Sequence, residues 1–431
     1  MSKLWRSVVV FAAAIALWAG FSPAVTTQAA TSSVDIDASA ALAIEAKTGK
    51  VLYAKNTNQT LPIASMTKML GIYLVREAIQ SGQLKWTDTV TPTASIAKLS
   101  QNSDLSNVPL QTDGKYTIKQ LYEASLIYSA NAAMMLLGNA VSGNQTKFVD
   151  AMRTQLKTWG IKDATIINAT GLDNNEIDAA DRYPNSTDTD QNQMSAKDVA
   201  VIAQHLLNDY PDVLDTTKAK EMTFSEGSDT TKMGNYNLML PGLSAAVAGL
   251  NVDGLKTGTT DRAGDCFTGT VEKNGMRIIT VVMHANGSGD DKRFVQTGKL
   301  MNWVFGNWKA MQVTTKGAAV TGHERLTVVH GTKASVPLAA TKTLTVYVPS
   351  STTADDLDFK YIAHLQNKLE APVQKSATAG TLTVSAKGDD LGYLTGQASE
   401  SVTLTTTKGV KRANLFALII HGVSEWFNSL F

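Results

Sequence analysis

The stretch IASMTKMLG, Ile63 to Gly71, contains the tetrad Ser65-x-x-Lys68. Pro62 stands just before it and Gly82 beyond it. Between them Met66, Met69, Leu70, Tyr73 and Leu74 recur at helical spacing, which predicts a helix over 65–79. Residues three apart share a helix face, so Lys68 can fold back toward the Ser65 hydroxyl. The free N–H groups of a helix N-terminus also suit a developing oxyanion. The tetrad alone is weak evidence, since a chain of this length holds about one or two copies by chance. A second copy, Ser95-x-x-Lys98, lies in TPTASIAKLSQNSD, a polar stretch of weak periodicity that reads as loop and solvated surface.

A serine hydroxyl becomes a nucleophile only when a neighbouring base takes its proton. His205 and His284 sit in no nucleophile-elbow context, and the six histidines show no metal-ligand spacing. Lysine is the remaining base, provided burial or a nearby cation lowers its pKa. The single cysteine, Cys266, excludes an internal disulfide and a cysteine-based zinc site, and reads as a packed core thiol. A net charge of +1 without a Lys/Arg block lacks the electrostatic footprint of a nucleic-acid binder. The composition, 43% hydrophobic and 18% charged over 431 residues, is that of a globular chain of two or three domains.

Lys3 and Arg6 precede an apolar run from Val8 to Trp18, and small residues end in Ala29-Ala30. This is the pattern of a secretory signal peptide, residues 1–29, with a retained signal anchor as the competing reading. The folded part is therefore expected outside the cytoplasm, at the outer face of the membrane or in the cell wall. ALAIEAKTGKVLYAK, Ala41 to Lys55, predicts a hairpin turning at Thr48-Gly49. Helices are expected over Ile118 to Val141 and Asp198 to Leu207, and after Leu250 three antiparallel strands joined by tight turns. Helices in mid-chain with strands at both ends give an α+β domain over 34–310, a helical cluster against an antiparallel sheet. Short Thr/Val-rich segments then give a small all-β domain over 311–407. Residues 408–431 end in KRANLFALIIHGVSEWFNSLF, an amphipathic helix expected to lie on a membrane surface, or else to dock on its own domain.

Two further motifs follow the first tetrad. Ser129-Ala-Asn131 lies in YSANAAMML, in the middle of the second helical region, and Lys256-Thr-Gly258 lies in VDGLKTGTT, on a predicted strand. Each is short and each has a decoy, Ser142-Gly-Asn144 and Lys47-Thr-Gly49. The order S-x-x-K, S-x-N, K-T-G is the strong signal. It resembles the penicillin-recognising serine enzymes. The flanking text NVDGLKTGTTDRAG, NATGLDN and MSAKDVA, with the domain layout, is similar to the low-molecular-weight penicillin-binding proteins of the D-alanyl-D-alanine carboxypeptidase family.

The resemblance implies that Ser65 is acylated, that Lys68 is its base and that Ser129 relays a proton to the leaving amine. It implies that Asn131 binds the substrate amide and that Lys256 sets the local potential. With Thr257 and Gly258 in the same motif, Lys256 would hold the terminal carboxylate, assisted by Arg293. The backbone N–H groups of Ser65 and Thr259 would form the oxyanion hole. It implies no metal or organic cofactor, peptidoglycan stem peptides as substrate and β-lactams as covalent inhibitors. Thr259 and Thr170 stand where some relatives carry histidine. The acidic run Asn174 to Asn192 reads as a surface loop or an extended rim of the site. A β-lactamase would need a deacylating glutamate, and Glu176 lacks that context. A peptidoglycan endopeptidase and a non-catalytic penicillin-binding wall protein remain as alternatives.

Overall fold

The computed structural model describes residues 34–227, 229–289, 291–363, 368–396, 400–414 and 419. The expected signal peptide, and the expected tail helix beyond residue 414 apart from Ile419, lie outside the described residues. The central sheet is built from β1 (Ala38–Glu45), β2 (Val51–Lys55), β3 (Val252–Thr260), β4 (Gly264–Lys273) and β5 (Met276–Ala285). Its order is β2-β1-β5-β4-β3, antiparallel throughout, so the N-terminal hairpin is zipped to the late strands through β1–β5, with Leu42 opposite Val281.

Strand side chains alternate between faces, and both faces of β1 are apolar. Ala40, Leu42 and Ile44 enter one core, while Ala41 and Ala43 enter another. The first core is filled by α1 (Lys68–Gln80), α2 (Ala94–Ser100), α3 (Ile118–Ile127), α4 (Asn131–Ser142), α5 (Gln145–Thr158), α6 (Ala196–Asp209) and α7 (Val213–Thr217). The second is closed by α8 (Lys292–Asn307). Helix α1 is buried from Lys68 through Val75, which is what an apolar helix at the centre of a bundle requires, and this carries Lys68 into the interior.

Two expectations of local structure are corrected. The helix expected over 118–141 is two helices, α3 and α4, broken at Tyr128–Ala130, where Ser129 adopts a left-handed φ of 56°. The segment around Ser95, read as a loop, is the short helix α2. Thr93 caps it by accepting from the Ile96 N–H, and Ile96, Ala97 and Ser100 bury its inner face.

The C-terminal part packs a six-stranded sheet on a two-stranded one. Strands β6 (Trp308–Thr314) and β9 (Leu344–Pro349) pair with each other. Strands β7 (Arg325–Val329), β8 (Ser335–Ala340), β10 (Leu357–Ala363), β11 (Lys368–Glu370), β12 (Thr378–Ala386) and β13 (Glu400–Thr406) form the order β10-β12-β13-β8-β7-β11. Strand β6 runs through residues 310 and 311, where the sequence reading divides the chain. The helix expected from residue 408 does not begin there: over 408–414 the chain stays with this sheet, since Val410 pairs with Val373 and is buried in its core, and Arg412 pairs with Gly331.

Lys50 joins the two parts. Its Nζ lies 2.8 Å from Asp389 Oδ2 and 3.1 Å from the Gly392 carbonyl. It also faces the rings of Trp308 and Tyr393, each at 5.4 Å. Burial lowers the Lys50 pKa, against the pull of Asp389. Asp389→Ala would leave a buried ammonium without its counter-ion, and is expected to destabilise by about 3 kcal/mol. A urea midpoint shift corresponding to under about 1 kcal/mol would show that the rings and carbonyls suffice to hold Lys50.

Candidate active site

The Ser65 turn is a 3₁₀ segment, Ala64–Thr67, that runs directly into α1. Ala64 has φ 45°, a left-handed conformation that an alanine adopts only when its surroundings impose it. Two glycines let those surroundings close in. A Cβ on Gly258 would stand 2.7 Å from the Ile63 carbonyl oxygen, so strand β3 abuts the turn only because that residue has no side chain. A Cβ on Gly171 would stand 1.8 Å from the Ala64 carbonyl oxygen.

Lys68 Nζ lies 2.7 Å from Ser65 Oγ, 2.7 Å from Asn131 Oδ1 and 3.0 Å from the Thr170 carbonyl oxygen. The last two are acceptors only. A neutral amine has two N–H bonds, and these two partners consume both, which leaves the lone pair directed at Ser65 Oγ–H. Burial first, and then the charge of Lys256, hold the Lys68 pKa well below the ordinary lysine value. The fold thus presents a hydroxyl and an amine in contact, with the amine biased toward its basic form.

The break between α3 and α4 explains the second motif. Ser129, in its left-handed conformation, lines the same cleft as Ser65. Asn131 starts α4 and is 2% exposed. Its Oδ1 accepts from Lys68, and its Nδ2 donates to the Ser106 carbonyl at 3.0 Å. Asn131 thus holds Lys68 through its oxygen, and the Ser106 carbonyl takes one of its two N–H bonds.

The third motif is split by the strand's alternation. Thr257 and Thr259 line the cleft, whereas Lys256 turns inward, 2% exposed, with Nζ 3.2 Å from the Thr257 carbonyl. Burial, with Arg293 adding to it, lowers the Lys256 pKa to about 7. Arg293, on the first turn of α8, also lines the cleft. Its Nη1 donates to Thr259 Oγ1 at 2.7 Å and to the Gly258 carbonyl at 3.0 Å, and Asp265 pairs with its Nη2. Burial lowers the Arg293 pKa to about 10, which leaves it charged at neutral pH. The cleft holds about 280 Å³, at the small end of ligand sites. A larger cavity of about 480 Å³ between Arg76, Trp86 and Asp212 contains none of the motif residues.

The sequence reading quoted NATGLDN for its resemblance alone and gave no role to this loop, which fixes Lys68 from behind. Asn168 Oδ1 accepts from the N–H groups of Thr170 and Gly171, at 3.1 and 2.7 Å, and its Nδ2 donates to the Leu172 carbonyl. Asn192 accepts from the Ile167 N–H and donates to Thr67 Oγ1 at 3.0 Å, which ties this loop to the Ser65 turn. The only trace of it in the sequence is the asparagine–glycine spacing of NATG; nothing singles out Asn192. The second tetrad is not brought together in the same way: Ser95 Oγ donates to Asp181 at 2.5 Å, and Lys98 is exposed. The acidic run Asn174 to Asn192 is a largely exposed loop pinned by Tyr183 to Asp150. Among the described residues, no group of three or more His, Cys, Asp and Glu could hold a metal ion.

The chain is similar to known proteins along most of its length. The chain is 27% identical over 400 residues to a D-alanyl-D-alanine carboxypeptidase, DacF, of Bacillus subtilis, covering 92% of each chain. Its structure is similar to that of a peptidoglycan synthesis regulatory factor (PBP3) from Streptococcus pneumoniae, with TM-score 0.74, 34% identity, and coverage of 87% of this chain and all of that one. It is also similar to penicillin-binding protein 5 from Haemophilus influenzae, with TM-score 0.68, 26% identity, and coverage of 88% and 99%. Residues 308–412 match the family described as the penicillin-binding protein 5 C-terminal domain. Residues 25–287 match the family described as D-alanyl-D-alanine carboxypeptidase, and the chain belongs to that family.

Proposed function

We propose that this carboxypeptidase removes the terminal D-alanine of peptidoglycan stem pentapeptides through an acyl-enzyme on Ser65. The contact that carries the reading is Lys68 Nζ at 2.7 Å from Ser65 Oγ, with its other two partners fixed as acceptors. Lys68 takes the Ser65 proton as the oxygen attacks the carbonyl between the two D-alanines. Ser129 passes a proton to the departing amine, and water then hydrolyses the ester. Asn131, Asn168 and Asn192 act through Lys68 and the Ser65 turn as positioning residues. The backbone N–H groups of Ser65 and Thr259 receive the oxyanion. Thr257, Gly258, Thr259, Arg293 and Lys256 provide the polar and cationic end for the substrate carboxylate.

The same site would accept a β-lactam as an acylating analogue, as an ampicillin-bound penicillin-binding protein D2 from Listeria monocytogenes illustrates; that protein is 29% identical and covers 63% of this chain. The chain would be exported through residues 1–29 and work outside the cytoplasmic membrane. Residues 34–307 would form the catalytic domain, and 308–414 the β domain. The apolar residues beyond 414 would bind the membrane surface as an amphipathic helix. Among the described residues, no helix is long and apolar enough to cross a membrane.

The test is D-alanine release by the full chain from a peptide ending in Lys-D-Ala-D-Ala, beside the mass shift on incubation with benzylpenicillin. Release with a stoichiometric adduct supports the reading. An adduct without release would replace it with an endopeptidase or a penicillin-binding wall protein. The pH profile is a second check. Lys68 must be neutral to act, so kcat/KM rises as pH climbs through its lowered pKa. Lys256 is cationic below about 7 and neutral above, so the carboxylate end weakens on the alkaline side. The expected kcat/KM profile carries a descending limb near pH 7 from Lys256, opposed by the rise from Lys68. Lys256→Arg, which stays charged, should push that limb out of range. An unmoved limb would assign it elsewhere.

A further inference from the structure

The segment Asn235-Tyr-Asn-Leu238 alternates in function as it does in polarity. Asn235 and Asn237 are buried, at 8% and 3% exposure, and anchor the backbone. Asn235 Nδ2 donates to the carbonyls of Thr217 and Ala219 at 3.0 and 2.8 Å, and its Oδ1 accepts from the Asn237 N–H. Asn237 Oδ1 accepts in turn from the Met239 N–H. With both asparagines fixed, Tyr236 and Leu238 face the other way and line the active-site cleft beside Ser129, Thr257 and Arg293. Tyr236 is 38% exposed, an unusual amount for a large aromatic side chain. It stacks on Tyr128 at 5.3 Å between centroids, which fixes its ring next to Ser129. Leu238 packs on the core that contains Phe294, the neighbour of Arg293. An apolar wall therefore runs from the serine proposed to serve the leaving amine to the arginine proposed to serve the terminal carboxylate.

We propose that Tyr236 and Leu238 are specificity-determining residues that close the leaving-group end of the cleft and restrict cleavage to a chain-terminal D-residue with a small side chain. The inference rests on the carboxypeptidase reading above, because that reading places the departing D-alanine between Ser129 and Arg293. The wall presents apolar surface along the path of the departing residue. In this proposal a side chain larger than a methyl group meets an aromatic ring held by stacking or a leucine packed on the core.

The experiment compares D-residue release from two peptides, one ending in Lys-D-Ala-D-Ala and one in Lys-D-Ala-D-Leu. The proteins are the full chain and its Tyr236→Ala, Leu238→Ala and Tyr236→Phe variants. Covalent uptake of benzylpenicillin by Ser65 reports which variants are folded. The parent should prefer D-alanine by about tenfold or more in kcat/KM. Either alanine variant should shrink that preference about tenfold, chiefly by improving KM for the D-leucine peptide, and Tyr236→Phe should retain it. If Tyr236→Ala takes up no penicillin, Leu238→Ala decides, since its side chain is partly exposed. An unchanged preference in alanine variants that still take up penicillin would overturn the proposal, as would a parent that releases both residues equally well. A parent that takes up penicillin and releases neither would sink the carboxypeptidase reading itself, and this inference with it.

Discussion

Ser65→Ala is expected to release no D-alanine above background and to form no adduct with benzylpenicillin, whereas Ser95→Ala should match the parent in both. The contrast is large because the two tetrads differ in what surrounds them. Lys68 is buried, its pKa is depressed, and two acceptors hold it against Ser65. Ser95 donates to a carboxylate, and its lysine is exposed. Loss of the nucleophile removes the covalent route altogether, so a fall on the order of 10⁴ or more is expected. Lys68→Arg should come close to it. A guanidinium keeps its charge and has no lone pair for the serine proton, so the hydroxyl would sit beside a donor rather than a base. Acylation by penicillin, followed by mass spectrometry, reads the first half of the reaction alone. If Lys68→Arg acylates at the parent's rate, Lys68 is not the base. If Ser95→Ala loses release, the second tetrad has a part that its contacts do not explain.

What the sequence made legible was whatever is written in periodicity and order. The hairpin read around Thr48-Gly49 and the strand–turn–strand texture after Leu250 predict strands, and the chain forms one sheet from them, with β1 seated between the hairpin strand and β5. The apolar run after Ser65 predicts α1, and its burial on every side accounts for the buried Lys68. The ordered trio of motifs pointed to the cleft lined by Ser65, Ser129, Thr257 and Thr259. What stayed hidden depends on backbone conformation and on contacts far apart in the chain. A helical pattern over 118–141 carries no sign that Ser129 takes a left-handed φ and splits it. Asn192 reaches Thr67 across 125 residues, and no local pattern foretells such a bond. Asn131 shows the same limit at one residue. Its place in the motif is legible, while its use of both ends of the amide, on Lys68 and Ser106, is a property of the packed structure.

Gly171→Ala should be the most damaging single methyl in the site. Gly171 has φ 82°, where an alanine is disfavoured by roughly 1–2 kcal/mol. The added Cβ would also stand 1.8 Å from the Ala64 carbonyl oxygen and 2.9 Å from Thr67 Oγ1. The first of these is backbone, so no rotamer change relieves it. One side must move. If the loop retreats, the Thr170 carbonyl leaves Lys68 Nζ, and the amine loses one of the two acceptors that aim its lone pair. If the turn retreats, Ala64 and with it Ser65 shift away from Lys68, and a misplacement of about 1 Å at the reacting atoms can lower a rate by about 10²-fold. Both routes lower stability as well as acylation, and the expected loss is about 3 kcal/mol or more in denaturant unfolding. Gly258→Ala separates the two penalties. Its Cβ meets the Ile63 carbonyl oxygen at 2.7 Å, but its backbone needs no left-handed conformation, so it should fall between Gly171→Ala and the parent in both measurements. A Gly171→Ala protein with the parent's urea midpoint and acylation rate would mean that the NATG loop rests against the Ser65 turn without holding it in place.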